Sequence, residues 1–174
     1  MNKQQYCRRF KKKEIKIEYL YLDLNTCARC VGTDSVLEDV IKVLSPAFVL
    51  AGYGISYHKT EIATEKDAIL HRFVSSPTIR VNGRDICNSV QKNNCGCCGD
   101  IAGTQVNCRV YSYKGKLYEV PPAEMIAEAI LKMAFKPKAF PCHLGRYVLP
   151  DNLKKFFDGK THKCCESTTS HKCC

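Results

Sequence analysis

Two cysteines separated by two residues, Cys27-Ala28-Arg29-Cys30, close an apolar run and open an amphipathic one. A cysteine pair at a helix head is a candidate redox dithiol. Unpaired backbone N–H groups and the positive helix end favour thiolate there, and Arg29 adds a nearby positive charge. Cys27 is the expected nucleophile. Cys30, about one turn further on the same face, is the thiol that would resolve a mixed disulfide. Pro77, in Val74-Ser75-Ser76-Pro77-Thr78, is the third residue assigned to this chemistry. In cis it would pack beside the dithiol and leave neighbouring backbone groups free for an extended thiol substrate. Asp23 reads either as a proton-transfer group for the pair or as a cap on the turn before it.

The dithiol is a small part of the sulfur, since the chain has 13 cysteines in 174 residues. Cys95-Gly96-Cys97-Cys98-Gly99, flanked by Cys87 and Cys108, makes a second cluster. Four thiolates, from Cys95, Cys97, Cys98 and Cys108, would suit tetrahedral zinc. Adjacent Cys97 and Cys98 cannot, however, both point inward from a regular extended segment, and the spacing fits no standard zinc ribbon. Three readings stay open: a disulfide or zinc staple for a long loop, a second redox relay to the Cys27 dithiol, or a soft-metal site. The staple is favoured slightly. A third group ends the chain as a duplication, Thr161-His162-Lys163-Cys164-Cys165-Glu166 and Ser170-His171-Lys172-Cys173-Cys174. Paired thiols beside imidazoles suit Cu(I), Hg(II), Cd(II) or trivalent arsenic. Adjacent lysines favour thiolate. His162, Cys164, Cys165, His171, Cys173 and Cys174 are therefore candidate ligands. Cys7 and Cys142-His143 read as incidental, and His58 and His71 as surface or packing residues.

Positioning these thiols requires strands and helices in alternation. Ile15 to Leu22 reads as a strand buried on one or both faces. Val36, Leu37, Val40, Ile41, Leu44 and Phe48 recur at helical spacing after the dithiol, with Pro46 as a possible kink and Gly52 and Gly54 as stops. Ile55 to Ile62 is a second strand. Thr64-Glu65-Lys66-Asp67 resembles a capping box and predicts a short helix to about Arg72. Pro77 opens a strand through Val81, and Asn82-Gly83 turns it back as a hairpin. Cys87 to Cys108 is an irregular insert. A second hairpin, Arg109–Tyr113 with Leu117–Val120, turns at Lys114-Gly115, and Pro122 starts a last helix. The order β-α-β-α-β-β-α predicts an α/β fold, a mixed sheet flanked by helices, with a cysteine-rich loop insert and a flexible C-terminal tail.

The organisation expected is a basic arm over 1–14, one domain over 15–135, and an extension over 136–174. The extension holds a short helix, Asp151 to Asp158, and a tail too poor in apolar residues to fold alone. Net charge is +10, with Lys3, Arg8, Arg9, Lys11, Lys12 and Lys13 in the arm. That block reads as a solvated face, and no nucleic-acid motif accompanies it, so a nucleic-acid partner is not expected. No apolar run spans a membrane, and no secretory signal opens the chain. A cytoplasmic location is expected, where clustered thiols mean metal or redox chemistry more often than disulfide scaffolding. No serine-histidine-aspartate set, paired-carboxylate cleft or phosphate-binding glycine loop supports hydrolase or kinase chemistry.

The strand, the Cys27-x-x-Cys30 pair, the following helix and Ser76-Pro77-Thr78 together resemble the thioredoxin superfamily. Residues 15–134 are similar to a small prokaryotic thioredoxin-like family of unassigned function. The matching stretches are Ile17 to Leu24 leading to Cys27-Ala28-Arg29-Cys30, Ser76 to Ile86, Cys108-Arg109-Val110, and Tyr118-Glu119-Val120-Pro121-Pro122. The resemblance implies the fold and the dithiol and no particular substrate. The usual Trp-Cys-Gly-Pro-Cys is absent, so neither a redox potential nor a partner reductase carries over. The expected function is thiol-disulfide exchange or handling of a thiophilic metal(loid), with a thiol or disulfide partner protein or a metal(loid) ion as partner. The alternative is a non-catalytic soft-metal-binding module on a thioredoxin scaffold. Enzyme activity, as a thiol-disulfide oxidoreductase or metal(loid) reductase, stays open. Zinc or a soft ion held by thiolates is the one cofactor to consider.

Overall fold

The computed structural model describes residues 13–87, 90–135 and 145–166, with side chains as far as 162. The arm residues 1–12, Cys142, His143, His171, Cys173 and Cys174 lie outside the described residues.

The central strand β1 (Lys13–Tyr21) buries Ile15, Ile17, Tyr19 and Leu20, and the chain then enters α1 (Ala28–Leu50). Helix α1 continues through Pro46 and ends before Gly52, whose φ of +80° suits glycine. Strand β2 (Tyr53–Glu61) returns parallel to β1, with Ile15 opposite Ile55 and Ile17 opposite Tyr57. The box predicted at Thr64 is present. Its side chain accepts the Asp67 N–H, Asp67 accepts the Thr64 N–H, and α2 runs over Glu65–Leu70.

The Ser76-Pro77 bond is cis, and β3 (Thr78–Val81) follows, antiparallel to β1. Asn82 and Gly83, at φ of +52° and +78°, turn it into β4 (Arg84–Asp85). The result is a mixed four-stranded sheet in the order β2-β1-β3-β4.

The insert expected to be irregular is instead built of regular elements. Strand β5 (Gln91–Asn94), helix α3 (Gly96–Ala102), β6 (Asn107–Tyr113) and β7 (Lys116–Tyr118) give a second, three-stranded sheet, β5-β6-β7. Cys108 therefore sits in a strand. Pro122 caps α4 (Ala123–Ala134). Helix α5 spans Asp151–Glu166, eight residues beyond the helix read from sequence. The first His-Lys-Cys-Cys thus falls on helical backbone and not in a loose tail.

The core has two parts. Ile15, Ile17 and Tyr19 pack with Leu37 and Val40 of α1 and Met125, Ile126 and Ile130 of α4. Leu20 and Leu22 pack with Cys27, Cys30, Phe73, the insert cysteines and the apolar side chains of α5. Leu153, Phe156 and Phe157 are at most 6% exposed, and each such burial contributes about 1.5–3 kcal/mol. Helix α5 is therefore part of the core that encloses the cysteines. Asn152 fastens its head to β6, accepting the Asn107 N–H at 2.8 Å and donating to the Asn107 carbonyl at 2.6 Å.

The close approach of α5 to α3 requires glycine at position 159, where a Cβ would overlap the Ala102 carbonyl. Backbone cannot yield as a side-chain tip can. Gly159→Ala is expected to lower stability by about 1–3 kcal/mol through overpacking, read as a drop in the urea midpoint. An unchanged midpoint would show that α5 is not seated on α3.

Candidate metal centre

The two halves of the site are helix heads with the same spacing. Cys27 is the N-cap of α1 and Cys30 lies in its first turn. Cys95 is the N-cap of α3 and Cys98 lies in its first turn. Both capping cysteines have extended backbone (φ −81°, ψ 101° and φ −122°, ψ 108°), and neither side chain caps its own helix. The sulfurs meet each other instead. Those of Cys27, Cys95 and Cys98 all lie within 4.8 Å of one another. The Cys98 to Cys27 separation is 3.8 Å, and Cys108 Sγ is 3.2 Å from Cys98 Sγ. A tetrahedral ion with metal–sulfur bonds of about 2.3 Å places its sulfurs roughly 3.8 Å apart. Cys27, Cys95, Cys98 and Cys108 are all thiols in this structure and all buried. Cys30 is the fifth buried thiol among the described residues, bonded to Ser76 Oγ at 3.3 Å.

Their protonation follows from mutual hydrogen bonding. Bonds to Cys30 and Cys95, together with burial, push the Cys27 thiol up. The Cys27 hydrogen bond brings Cys30 down to about 7, against the opposing pull of burial and with help from Ser76. Cys95 is lowered by bonds from Cys108, Cys27 and Cys98. Cys98 is raised by its bonds to Cys108, Cys27 and Cys95, and Cys108 is raised chiefly by its bond to Cys95. Mutual hydrogen bonding thus favours the thiolate at Cys95 and Cys30 and the thiol at Cys27, Cys98 and Cys108. Cys27, the expected nucleophile, is fully buried.

Three polar anchors brace the site, and one of them, Arg29, joins its two halves. Arg29, expected to act on the sulfurs through its charge, turns to the insert. Its guanidinium donates to Asn93 Oδ1 at 2.5 Å and the Asn94 carbonyl at 2.6 Å, and pairs with Glu119. It ties the α1 head to the residues just before Cys95. Arg109, next to Cys108, makes a bidentate pair with Asp85 at 2.8 and 2.7 Å. Asp23 caps the turn before Cys27: one carboxylate oxygen accepts the N–H groups of Asn25, Thr26 and Cys27 and the Thr26 hydroxyl. Burial acts upward on Asp23, yet these bonds hold it below the usual carboxylate range. A proton-transfer role finds no support in that arrangement.

The backbone beside Pro77 is not free for an extended substrate. The Ser76 carbonyl accepts the Arg109 N–H at 2.7 Å, and the Pro77 carbonyl accepts the Tyr111 hydroxyl at 2.9 Å. The chain's own β6 lies where that substrate was expected, and it brings Cys108 with it.

A family model described as "Domain of unknown function (DUF2703)" matches residues 15–130, a span that contains all five buried thiols and all three anchors. The chain belongs to that family. No curated protein and no solved structure matches it. Helix α5, which covers the DUF2703 thiols, lies beyond the matched span.

Of the residues singled out from sequence, the structure brings together Cys27, Cys95, Cys98 and Cys108, with Cys30 and Pro77 adjoining. Cys97 is half-buried and outside the group of three converging sulfurs. Cys87 is also half-buried, set beside Arg109 and Asp85. His162 is exposed on α5, which also carries the backbone of Cys164 and Cys165. Sequence reasoning missed Ser76, the insert-facing role of Arg29, the Asp85–Arg109 pair and the cover supplied by α5. A usable signal existed for one feature: Cys95-x-x-Cys98 repeats the spacing of Cys27-x-x-Cys30.

Outer contacts of this kind set ligand geometry, and losing one commonly weakens a metal site by about 10–100-fold. Arg29→Ala is expected to weaken cadmium binding by about tenfold, with every cysteine retained. Competition against a chromogenic chelator measures it. Equal affinity would remove Arg29 from the positioning of Cys95.

Proposed function

We propose that the chain captures a thiophilic metal or metalloid ion with Cys27, Cys95, Cys98 and Cys108, on a thioredoxin-like scaffold. The convergence of Cys27, Cys95 and Cys98 within 4.8 Å from two helix heads, with Cys108 Sγ of β6 3.2 Å from Cys98 Sγ, carries the reading. Thiolate donors select soft or borderline ions such as Zn(II), Cd(II), Hg(II) or trivalent arsenic over hard ones. The apolar surroundings exclude water and strengthen the bonds to such an ion. A reducing compartment, the cytoplasm, would keep the five thiols available.

Thiol-disulfide exchange is the second reading, favoured by Cys27 and Cys30 sharing the head of α1 and by the cis-proline. Burial of both sulfurs and occupation of the Ser76 carbonyl make a protein disulfide the less suitable substrate. The tail histidines and cysteines fit a role in gathering ions for the buried site.

Native mass spectrometry of the reduced chain with zinc, cadmium or arsenite tests the first reading. Wild type is expected to hold one tightly bound ion more than Cys27→Ser. Because thiols must lose their protons to bind an ion, binding is expected to acidify a weakly buffered solution. Equal occupancy in both chains would reject the site.

A further inference from the structure

Cys27 faces two ways. On one side is Cys30, three residues on in the first turn of α1; on the other are the Cys95 and Cys98 sulfurs, gathered with its own within 4.8 Å. Cys30 and Cys108 both lie outside the three sulfurs gathered within 4.8 Å, but Cys108 Sγ is 3.2 Å from Cys98 Sγ, whereas Cys30 Sγ is 3.3 Å from Ser76 Oγ. One sulfur thus belongs both to a Cys-x-x-Cys dithiol and to an ion site. A sulfur in a disulfide has no thiolate lone pair and charge to give a metal. We propose that the two uses of Cys27 exclude each other, so that oxidation of Cys27 and Cys30 to a disulfide expels the ion held with Cys95, Cys98 and Cys108. This rests on the reading of those four cysteines as an ion site.

Burial of both sulfurs selects a small oxidant, and a peroxide is the class that fits. Cys30 has no ion bond to break, so its sulfur reacts first. It attacks one peroxide oxygen, the O–O bond breaks, and hydroxide leaves to become water. Cys30 is then a sulfenic acid. The Cys27 sulfur, leaving the ion, attacks the Cys30 sulfur. The S–O bond breaks, a second hydroxide leaves and takes a proton, and the disulfide forms. Two electrons pass from the two thiols to one hydrogen peroxide, giving two waters. The ion keeps three cysteine ligands where it had four. Reduction of the disulfide by an external thiol would restore the site. An ion held this way stays bound while thiols are reduced and is surrendered when peroxide rises.

The test loads the full chain with zinc under reducing conditions, removes excess metal and thiol, and adds hydrogen peroxide. Released zinc is followed with a chromogenic chelator, and disulfides are mapped by peptide mass spectrometry. The expected result is zinc release in step with a Cys27–Cys30 disulfide. Cys30→Ser and Cys30→Ala should bind zinc and release it about tenfold more slowly. The inference is overturned if the first disulfide links two of Cys95, Cys98 and Cys108, or if either Cys30 variant releases zinc at the wild-type rate. Should a variant not fold, the wild-type disulfide map decides alone. Failure of the untreated wild type to bind zinc would instead remove the ion site, and the inference with it.

Discussion

Cys98→Ser is expected to abolish high-affinity ion binding while the chain stays folded. Cys98 is the centre of the cluster, 3.8 Å from Cys27 and 3.2 Å from Cys108. Serine fits its volume but gives a hard, reluctantly ionised oxygen in place of a soft thiolate. Four-ligand structural zinc sites bind with about 10–16 kcal/mol, so one thiolate in four represents roughly 3–4 kcal/mol. That corresponds to a loss of affinity of between two and three orders of magnitude. Isothermal titration with cadmium in reducing buffer reads it directly. Cys97→Ser is the control: it changes the neighbouring residue, stands outside the converging group, and should leave affinity within about threefold. Equal losses in the two variants would mean that the α3 geometry does not select Cys98.

Asp85→Ala is expected to be the most destabilising change away from sulfur. Arg109 is fully buried, and both its terminal nitrogens bond the Asp85 carboxylate. Its Nε has no hydrogen-bond partner among the described residues. Removing one member of a buried ion pair costs about 3–5 kcal/mol, because the remaining charge is left in a poor solvent. Asp85 keeps 28% of its side chain exposed, so water can reach the pair and the lower end, about 3 kcal/mol, applies. The damage should reach the ion site, since Arg109 follows Cys108 and its N–H holds the Ser76 carbonyl. Denaturant unfolding of the reduced, chelated chain measures the loss. The double replacement Asp85→Leu with Arg109→Met leaves no uncompensated charge and should recover most of it. No recovery would place the cost in packing rather than in charge.

Local signals carried the parts of this fold that could be read in advance. The Thr64 box, the Asn82-Gly83 and Lys114-Gly115 turns and the Cys27-x-x-Cys30 helix head each depend on a few adjacent residues, and each is present. The insert was obscured by its glycines. Gly96 and Gly99 weaken helix propensity, so a seven-residue helix there reads as loop. Once α3 is a helix, the difficulty of pointing Cys97 and Cys98 inward together disappears, because Cys95 and Cys98 share a face. The full extent of α5 was equally hidden. Residues after Asp158 are polar, and the helix is carried through them from the anchor of Leu153, Phe156 and Phe157. Arg109 lies in a strand pattern where a charged residue ordinarily faces water, and its partner is 24 residues away. Meeting of the two cysteine pairs is a tertiary event, and spacing along the chain cannot announce it.

X-ray absorption spectroscopy of the zinc-loaded full chain, beside the Cys98→Ser variant loaded to its own capacity, tests the central claim most directly. The account predicts a wild-type first shell of four sulfurs at about 2.3 Å, with one ion fewer per chain in the variant. A shell containing nitrogen or oxygen for the tightest ion, or an unchanged four-sulfur ion in Cys98→Ser, would contradict it.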